Sequence, residues 1–110
     1  MEFSVNDFDS LNTHLKNEDS IVFIKGRNCG VCDVMYPLIK NIADKYNVNI
    51  IKVYIEDFKE LSGQYMVFTI PTVLVFNYDK EMLRESKFIN QNKLENYFEK
   101  KSKICDKRRG

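Results

Sequence analysis

Ser20-Ile21-Val22-Phe23-Ile24-Lys25-Gly26-Arg27-Asn28-Cys29-Gly30-Val31-Cys32 decides the fold of this chain. Ser20 to Lys25 is a nearly continuous apolar run, which suits a central strand buried on both faces. Val34-Met35-Tyr36-Pro37-Leu38-Ile39-Lys40-Asn41-Ile42-Ala43 follows and repeats its apolar positions at helical spacing, so a helix is expected from about Val31 to Tyr46. Two thiols two residues apart therefore sit where a buried strand gives way to a helix.

Outward from that junction the chain alternates strand-like and helix-like stretches. A short first strand is expected around Phe3-Ser4-Val5, and Asp9 or Ser10 is placed to cap a helix carrying Leu11 and Leu15. Asn49 to Glu56 is rich in β-branched residues and reads as a strand. Glu60 to Tyr65 reads as a short helix interrupted by Gly63, and Thr72 to Phe76 as a strand. Asn77-Tyr78-Asp79-Lys80 reads as a turn, and Met82 to Phe88 as its hairpin partner. Asn90 caps a last helix with Leu94, Tyr97, Phe98 and Ile104 on one face. The order is βαβαβαββα: an α/β fold whose central mixed sheet has four to five strands flanked by helices. Crossover connections make the first part parallel; the tight turn makes the last two strands antiparallel.

With 110 residues the chain is read as one domain, residues 1–104, with a basic C-terminal tail, residues 105–110. A composition 44% hydrophobic and 30% charged argues against disorder. The formal net charge of +1 gives no global field toward DNA or a membrane surface. Met1 to Asp7 lacks a basic start and an apolar core, and no stretch approaches the roughly 20 apolar residues of a membrane helix. The expectation is a cytoplasmic monomer with no nucleic-acid and no membrane partner. The tail's Lys and Arg residues complement a helix C-terminus and bring no stacking aromatics with them.

A thiol reacts as its thiolate, and a free cysteine titrates near pH ~8.5. A cysteine at a helix start faces unpaired N–H groups and the positive end of the helix dipole. A fall of about 1.5 in pKa corresponds to about 2 kcal/mol of selective stabilisation and ionises half the thiol at neutrality. Lys25 and Arg27 push the same way; Asp33 pushes back. Cys29, at the helix start, is the expected nucleophile. Cys32, in the first turn and more buried, resolves the mixed disulfide. Gly30 lets the sulfurs approach, and Val31 fills the loop without a polar group. Structural zinc needs four ligands, and beyond this pair only Cys105 and His14 remain, at opposite ends of the chain. No metal and no bound cofactor are expected. Cys105 reads as a bystander thiol, His14 as a surface residue, and Met35, Met66 and Met82 as core filler. Tyr36, Tyr65 and Phe68 are expected to border the site, with Phe68 lining a groove.

The chain resembles the thioredoxin family on three placements. The CGVC motif follows a buried strand and opens a helix. Pro37 lies in that helix, five residues after Cys32. Thr69-Ile70-Pro71-Thr72 resembles the family's Ile-Pro-Thr segment, just before a strand. The match covers about residues 2 to 103. The resemblance implies a thioredoxin-like fold, a Cys29–Cys32 active-site disulfide, and a cis bond at Ile70–Pro71 beside the sulfurs. It also implies a groove formed by Ile70, Pro71, Gly30, Val31 and Phe68, where the backbone of Ile70 pairs with an extended substrate. The function implied is a thiol–disulfide oxidoreductase reducing protein disulfides in electron transport and cell redox homeostasis. Its partners would be disulfide-containing proteins and thioredoxin reductase, an NADPH-dependent flavoprotein.

Four positions depart from the family pattern. Asn28 stands where a tryptophan is usual and Val31 where a proline is usual. Phe23 stands where the family buries an aspartate, six residues before the first cysteine. Lys52 matches that aspartate's partner lysine; deprived of it, Lys52 is left to solvent or to Glu56, and is counted with Lys25 and Arg27 among groups that tune the thiols. Lys87 stands near a groove glycine. Two alternatives stay open: a glutaredoxin-like enzyme acting on low-molecular-weight thiols, and a non-catalytic redox adaptor. Glu85-Ser86-Lys87, where glutaredoxins usually place Gly-Gly, argues against the first.

Overall fold

The computed structural model describes residues 1–109; the side chains of Asn17 and of residues 104–109 fall outside the described set, and with them the expectations for Ile104 and Cys105. The elements are β1 (Glu2–Ser4), α1 (Phe8–Asn17), β2 (Ser20–Lys25), α2 (Gly30–Lys45), β3 (Asn49–Tyr54), a 3-10 turn (Ile55–Asp57), α3 (Glu60–Tyr65), β4 (Thr72–Asn77), β5 (Lys80–Ser86) and α4 (Gln91–Arg109). The expected order holds. The division expected at residues 104/105 falls inside α4.

The five strands form one mixed sheet in the order β1-β3-β2-β4-β5. β1 and β2 run parallel to β3, because each connection between them crosses over through a helix. β4 runs antiparallel to both β2 and β5. β2 is buried at every position, as its unbroken apolar run requires.

Strand alternation divides the core. Ile21 and Phe23 of β2 face one side, with Cys32, Ile39 and Ile42 of α2 and Leu94 and Phe98 of α4. Val22 and Ile24 face the other, with Leu11 and Leu15 of α1 and Leu61 of α3.

Local chemistry differs from expectation in places. The α1 cap is Asp7, whose carboxylate accepts from the Ser10 amide at 2.7 Å. Asp9, an expected cap, lies within the first turn. Asn90 caps α4 as expected, accepting from the Lys93 amide at 3.3 Å. His14 is half-buried, stacked on Phe3 with ring centroids 4.1 Å apart. Met66 and Met82 are exposed and are not core filler; Met35 alone of the three packs against the core. No helix among the described residues is long and apolar enough to cross a membrane.

Candidate active site

Lys25 ends β2, and three residues, Gly26 to Asn28, carry the chain to Cys29. Cys29 is the N-cap of α2: its backbone is extended, its sulfur accepts from the Cys32 amide at 3.2 Å, and its carbonyl accepts from the Asp33 amide at 3.2 Å. A sulfur in that position faces the unpaired amides of the first turn. Cys29 and Cys32 are joined in a disulfide, with Cα atoms 5.2 Å apart. Cys32 is fully buried; Cys29 is half-buried, less open than its expected role as an exposed nucleophile. Gly30 is not in a left-handed conformation, and a Cβ there would meet nothing within 4 Å. Its value is an open surface beside the sulfurs, not backbone freedom.

The glycine with a close neighbour is Gly26. A Cβ there would lie 2.6 Å from Cδ1 of Ile70. Ile70 packs both against the cluster that includes Cys29 and Cys32 and against the opposite core cluster. Gly26 therefore lies against a side chain shared by the two clusters. Nothing in the sequence marked it.

The Ile70–Pro71 bond is cis. Thr72 closes the turn around it: its hydroxyl donates to the Thr69 carbonyl at 2.6 Å and lies 3.0 Å from the Ser86 hydroxyl. From the far side the Lys87 amide donates to the Pro71 carbonyl at 2.8 Å. Lys87 has φ 65°, a left-handed conformation that costs a residue with a Cβ. Among the described residues, neither the amide nor the carbonyl of Ile70 makes a backbone hydrogen bond. Ile55, Ser62, Val67, Phe68, Thr69 and Ile70 line a cleft of about 350 Å³ beside this turn. Phe68 stands 78% exposed at its lip, and Phe88, next after Lys87, is 81% exposed. Val31 and Val34 are exposed on the first turn of α2. Exposed apolar side chains therefore stand on the first turns of α2 and on the segments flanking the cis-proline turn, although Asn28 replaces an aromatic ring. Tyr65, expected at this border, packs in the opposite core cluster near Phe8 and Phe76.

Lys25, Arg27 and Lys52 each have partners. Lys25 is nearly buried, and its ammonium donates to Asp33 Oδ1 at 3.1 Å. The Arg27 guanidinium forks onto both oxygens of Asp57, at 3.0 Å for the longer bond, while its amide donates to Glu56 Oε2 at 3.0 Å. The Arg27 side-chain hydrogen bond holds Asp57 below its usual carboxylate range, and the Arg27 amide does the same for Glu56. Lys52 pairs with β2 opposite Phe23, as the register implies. Its ammonium lies over the rings of Tyr36 and Tyr54, 5.0 and 5.9 Å from their centroids, and not against Glu56. Phe23 meets Tyr36 edge to face at 5.1 Å. Where the family pattern has an aspartate and a lysine, this chain stacks phenylalanine, tyrosine and lysine. Tyr36 also donates to Glu2; burial and that hydrogen bond push its hydroxyl well above the usual range.

A mixed five-stranded sheet with a paired-cysteine motif at a helix start and a cis-proline turn before β4 defines a class: the thiol–disulfide oxidoreductases. The family model "Thioredoxin" matches residues 2–100, and the chain belongs to that family. It is 31% identical over 77 residues to "Thioredoxin-like protein YdfQ" of Bacillus subtilis (strain 168), covering 69% of each chain. It is 30% identical over 79 residues to a protein named "Thioredoxin" of Mycoplasmoides gallisepticum, covering 71% of this chain and 79% of that one. Among solved structures, a mutant thioredoxin from Halobacterium salinarum NRC-1 superposes with a TM-score of 0.82 at 16% identity, over 90% of this chain and 88% of that one. A reduced Schistosoma mansoni thioredoxin pre-protein does so with 0.77 at 24% identity, over 90% and 96%. At those identities the structures speak for the fold alone.

Proposed function

We propose that this protein reduces disulfides in other proteins, with Cys29 as nucleophile and Cys32 as resolving thiol. The observation that carries the reading is Cys29 at the N-cap of α2, bonded to a fully buried Cys32 and packed beside the free backbone of Ile70.

In the reduced chain the Cys29 thiolate attacks one sulfur of a substrate disulfide. The substrate S–S bond breaks, and the departing thiolate takes a proton from water. Cys32 then loses its proton, attacks the Cys29 sulfur and displaces the second substrate thiolate. Two electrons pass to the substrate, and the chain is left with the Cys29–Cys32 disulfide. A thioredoxin reductase drawing on NADPH returns two electrons and two protons. No cofactor bound to this chain enters the cycle. Ile70 offers one amide and one carbonyl for strand-like pairing with an extended segment, while Phe68, Val31 and Pro71 supply apolar contact. The Lys25 and Arg27 charges are shared with Asp33 and Asp57, so the helix start supplies most of the bias toward thiolate. The reading includes a cytoplasmic, monomeric protein.

Phe23 bears on the second step. Without a carboxylate in the buried position, Cys32 gives its proton up more slowly and the mixed disulfide lasts longer.

Insulin reduction with NADPH and a thioredoxin reductase tests the reading. The wild-type chain turns over catalytically, Cys29→Ser is inactive, and Cys32→Ser accumulates a mixed disulfide visible as a mass adduct. Stoichiometric thiol loss without turnover would instead mark an adaptor. Phe23→Asp lowers stability, because it buries a carboxylate, yet raises turnover per folded molecule and shortens the adduct's life. Unchanged turnover would remove the role given to Phe23.

A further inference from the structure

We infer that Arg84, together with Glu81, positions the Val67–Pro71 segment for protein substrates. The inference rests on the function proposed above and extends it to a residue on the far strand of the hairpin.

Arg84 pairs with Leu74 across β4 and β5, so both side chains leave the same face of the sheet. Leu74 belongs to the core cluster on the α1 and α3 side. The Arg84 side chain is thereby delivered to the end of α3. Its Nη2 donates to the Tyr65 carbonyl at 2.7 Å, and its Nη1 to the Met66 carbonyl at 3.0 Å. Glu81 grips the same guanidinium, accepting from Nε at 3.0 Å and from Nη2 at 2.9 Å. That contact raises the pKa of Arg84 further and fixes the orientation of its planar fork.

The carbonyls Arg84 takes are those that a helix end leaves without partners. Met66 turns the chain out of α3 in a left-handed conformation, φ 55°, which a non-glycine residue holds only under outside constraint. The Val67 amide closes the reversal onto the Ser62 carbonyl at 2.9 Å. Directly after this reversal come Phe68 at the cleft lip, Ile70 with its unpaired backbone, and Pro71. Arg84 thus fixes where the substrate-facing segment begins, without touching the sulfurs or a substrate. Lysine keeps the charge but cannot span two carbonyls as a fork.

The test compares Arg84→Lys and Arg84→Ala with the wild type on two substrates. For insulin, KM rises at least threefold in Arg84→Lys and tenfold in Arg84→Ala, with kcat within twofold. For 5,5′-dithiobis(2-nitrobenzoate), which needs no extended pairing, rates stay within twofold. An unchanged insulin KM in Arg84→Lys, or equal loss on both substrates, overturns the inference. Hydrogen exchange supplies an arm independent of activity. In the Val67–Ile70 segment the Val67 amide, which is bonded to the Ser62 carbonyl, exchanges at least tenfold faster in Arg84→Lys, with the amides of α2 and β2 unchanged. Equal exchange of the Val67 amide overturns the inference even if the wild type reduces no protein disulfide.

Discussion

Lys87 shows how one residue can carry both a departure from a pattern and its physical cost. It occupies a left-handed conformation at φ 65°, and its amide is committed to the Pro71 carbonyl. A lysine in that region pays about 1–2 kcal/mol in steric strain. Glycine avoids the strain but gives back about 0.4–1 kcal/mol through the freer unfolded chain. Lys87→Gly is therefore expected to raise stability by about 0.5–1 kcal/mol. The urea midpoint checks it, and a midpoint unchanged or lowered would show that the lysine side chain supplies an offsetting contact. The sequence made this position legible, because the glycine missing from a groove pattern is also the glycine missing from a left-handed φ. The close approach at Gly26 was not legible: its neighbour is the Ile70 side chain, forty-four residues away, and no local pattern records such a contact. Lys52 was half legible. The family resemblance matched it to the partner of the position held by Phe23, and the strand register pairs the two, but only the side chains from α2 and β3 reveal that aromatic rings, and not Glu56, receive its charge.

Among the elements, those with strong periodicity were legible almost to the residue. β2 and α3 match their expected limits, and α2 begins one residue before its expected start. The antiparallel placement of β4 against β2 was not legible, because α3 is short and the direction of return depends on the sheet as a whole. The loop between β2 and α2 was also opaque, since its order comes from the 3-10 turn after β3. Arg27 joins them through Glu56 and Asp57. Both carboxyls are held below their ordinary values by those hydrogen bonds. A depressed folded value means that the stabilisation is complete above the unfolded value, near pH ~4, and disappears as the pH falls through the folded values. The expected outcome is a urea midpoint that drops below pH ~4, with a shallower drop in the double variant Glu56→Gln/Asp57→Asn. Identical slopes from pH 6 to pH 2.5 would show that the Arg27 contacts do not couple folding to protons. Because both groups are exposed, the difference shrinks in high salt.

At the scale of the molecule, β2 acts as a partition between two cores. Alternate residues feed opposite clusters, and Cys32 lies in the one shared by α2 and α4. The resolving sulfur is thus part of a packed interior, while the nucleophile stays at its edge. Such an arrangement makes the two cores energetically separable wherever a continuous strand stands between them. Ile39 lies in the first cluster and Ile51 in the second, and both are fully buried. Ile39→Val and Ile51→Val are each expected to cost about 0.5–1.5 kcal/mol. Side chains on opposite faces share no cavity, so the double variant should equal the sum to within about 0.5 kcal/mol. Ile39→Val combined with Val75→Ala, inside one cluster, has no such protection from coupling. A coupling energy above about 1 kcal/mol between Ile39 and Ile51 would mean that the sheet transmits repacking from face to face. The dithiol would then sense changes in α1 and α3 that its own cluster never touches.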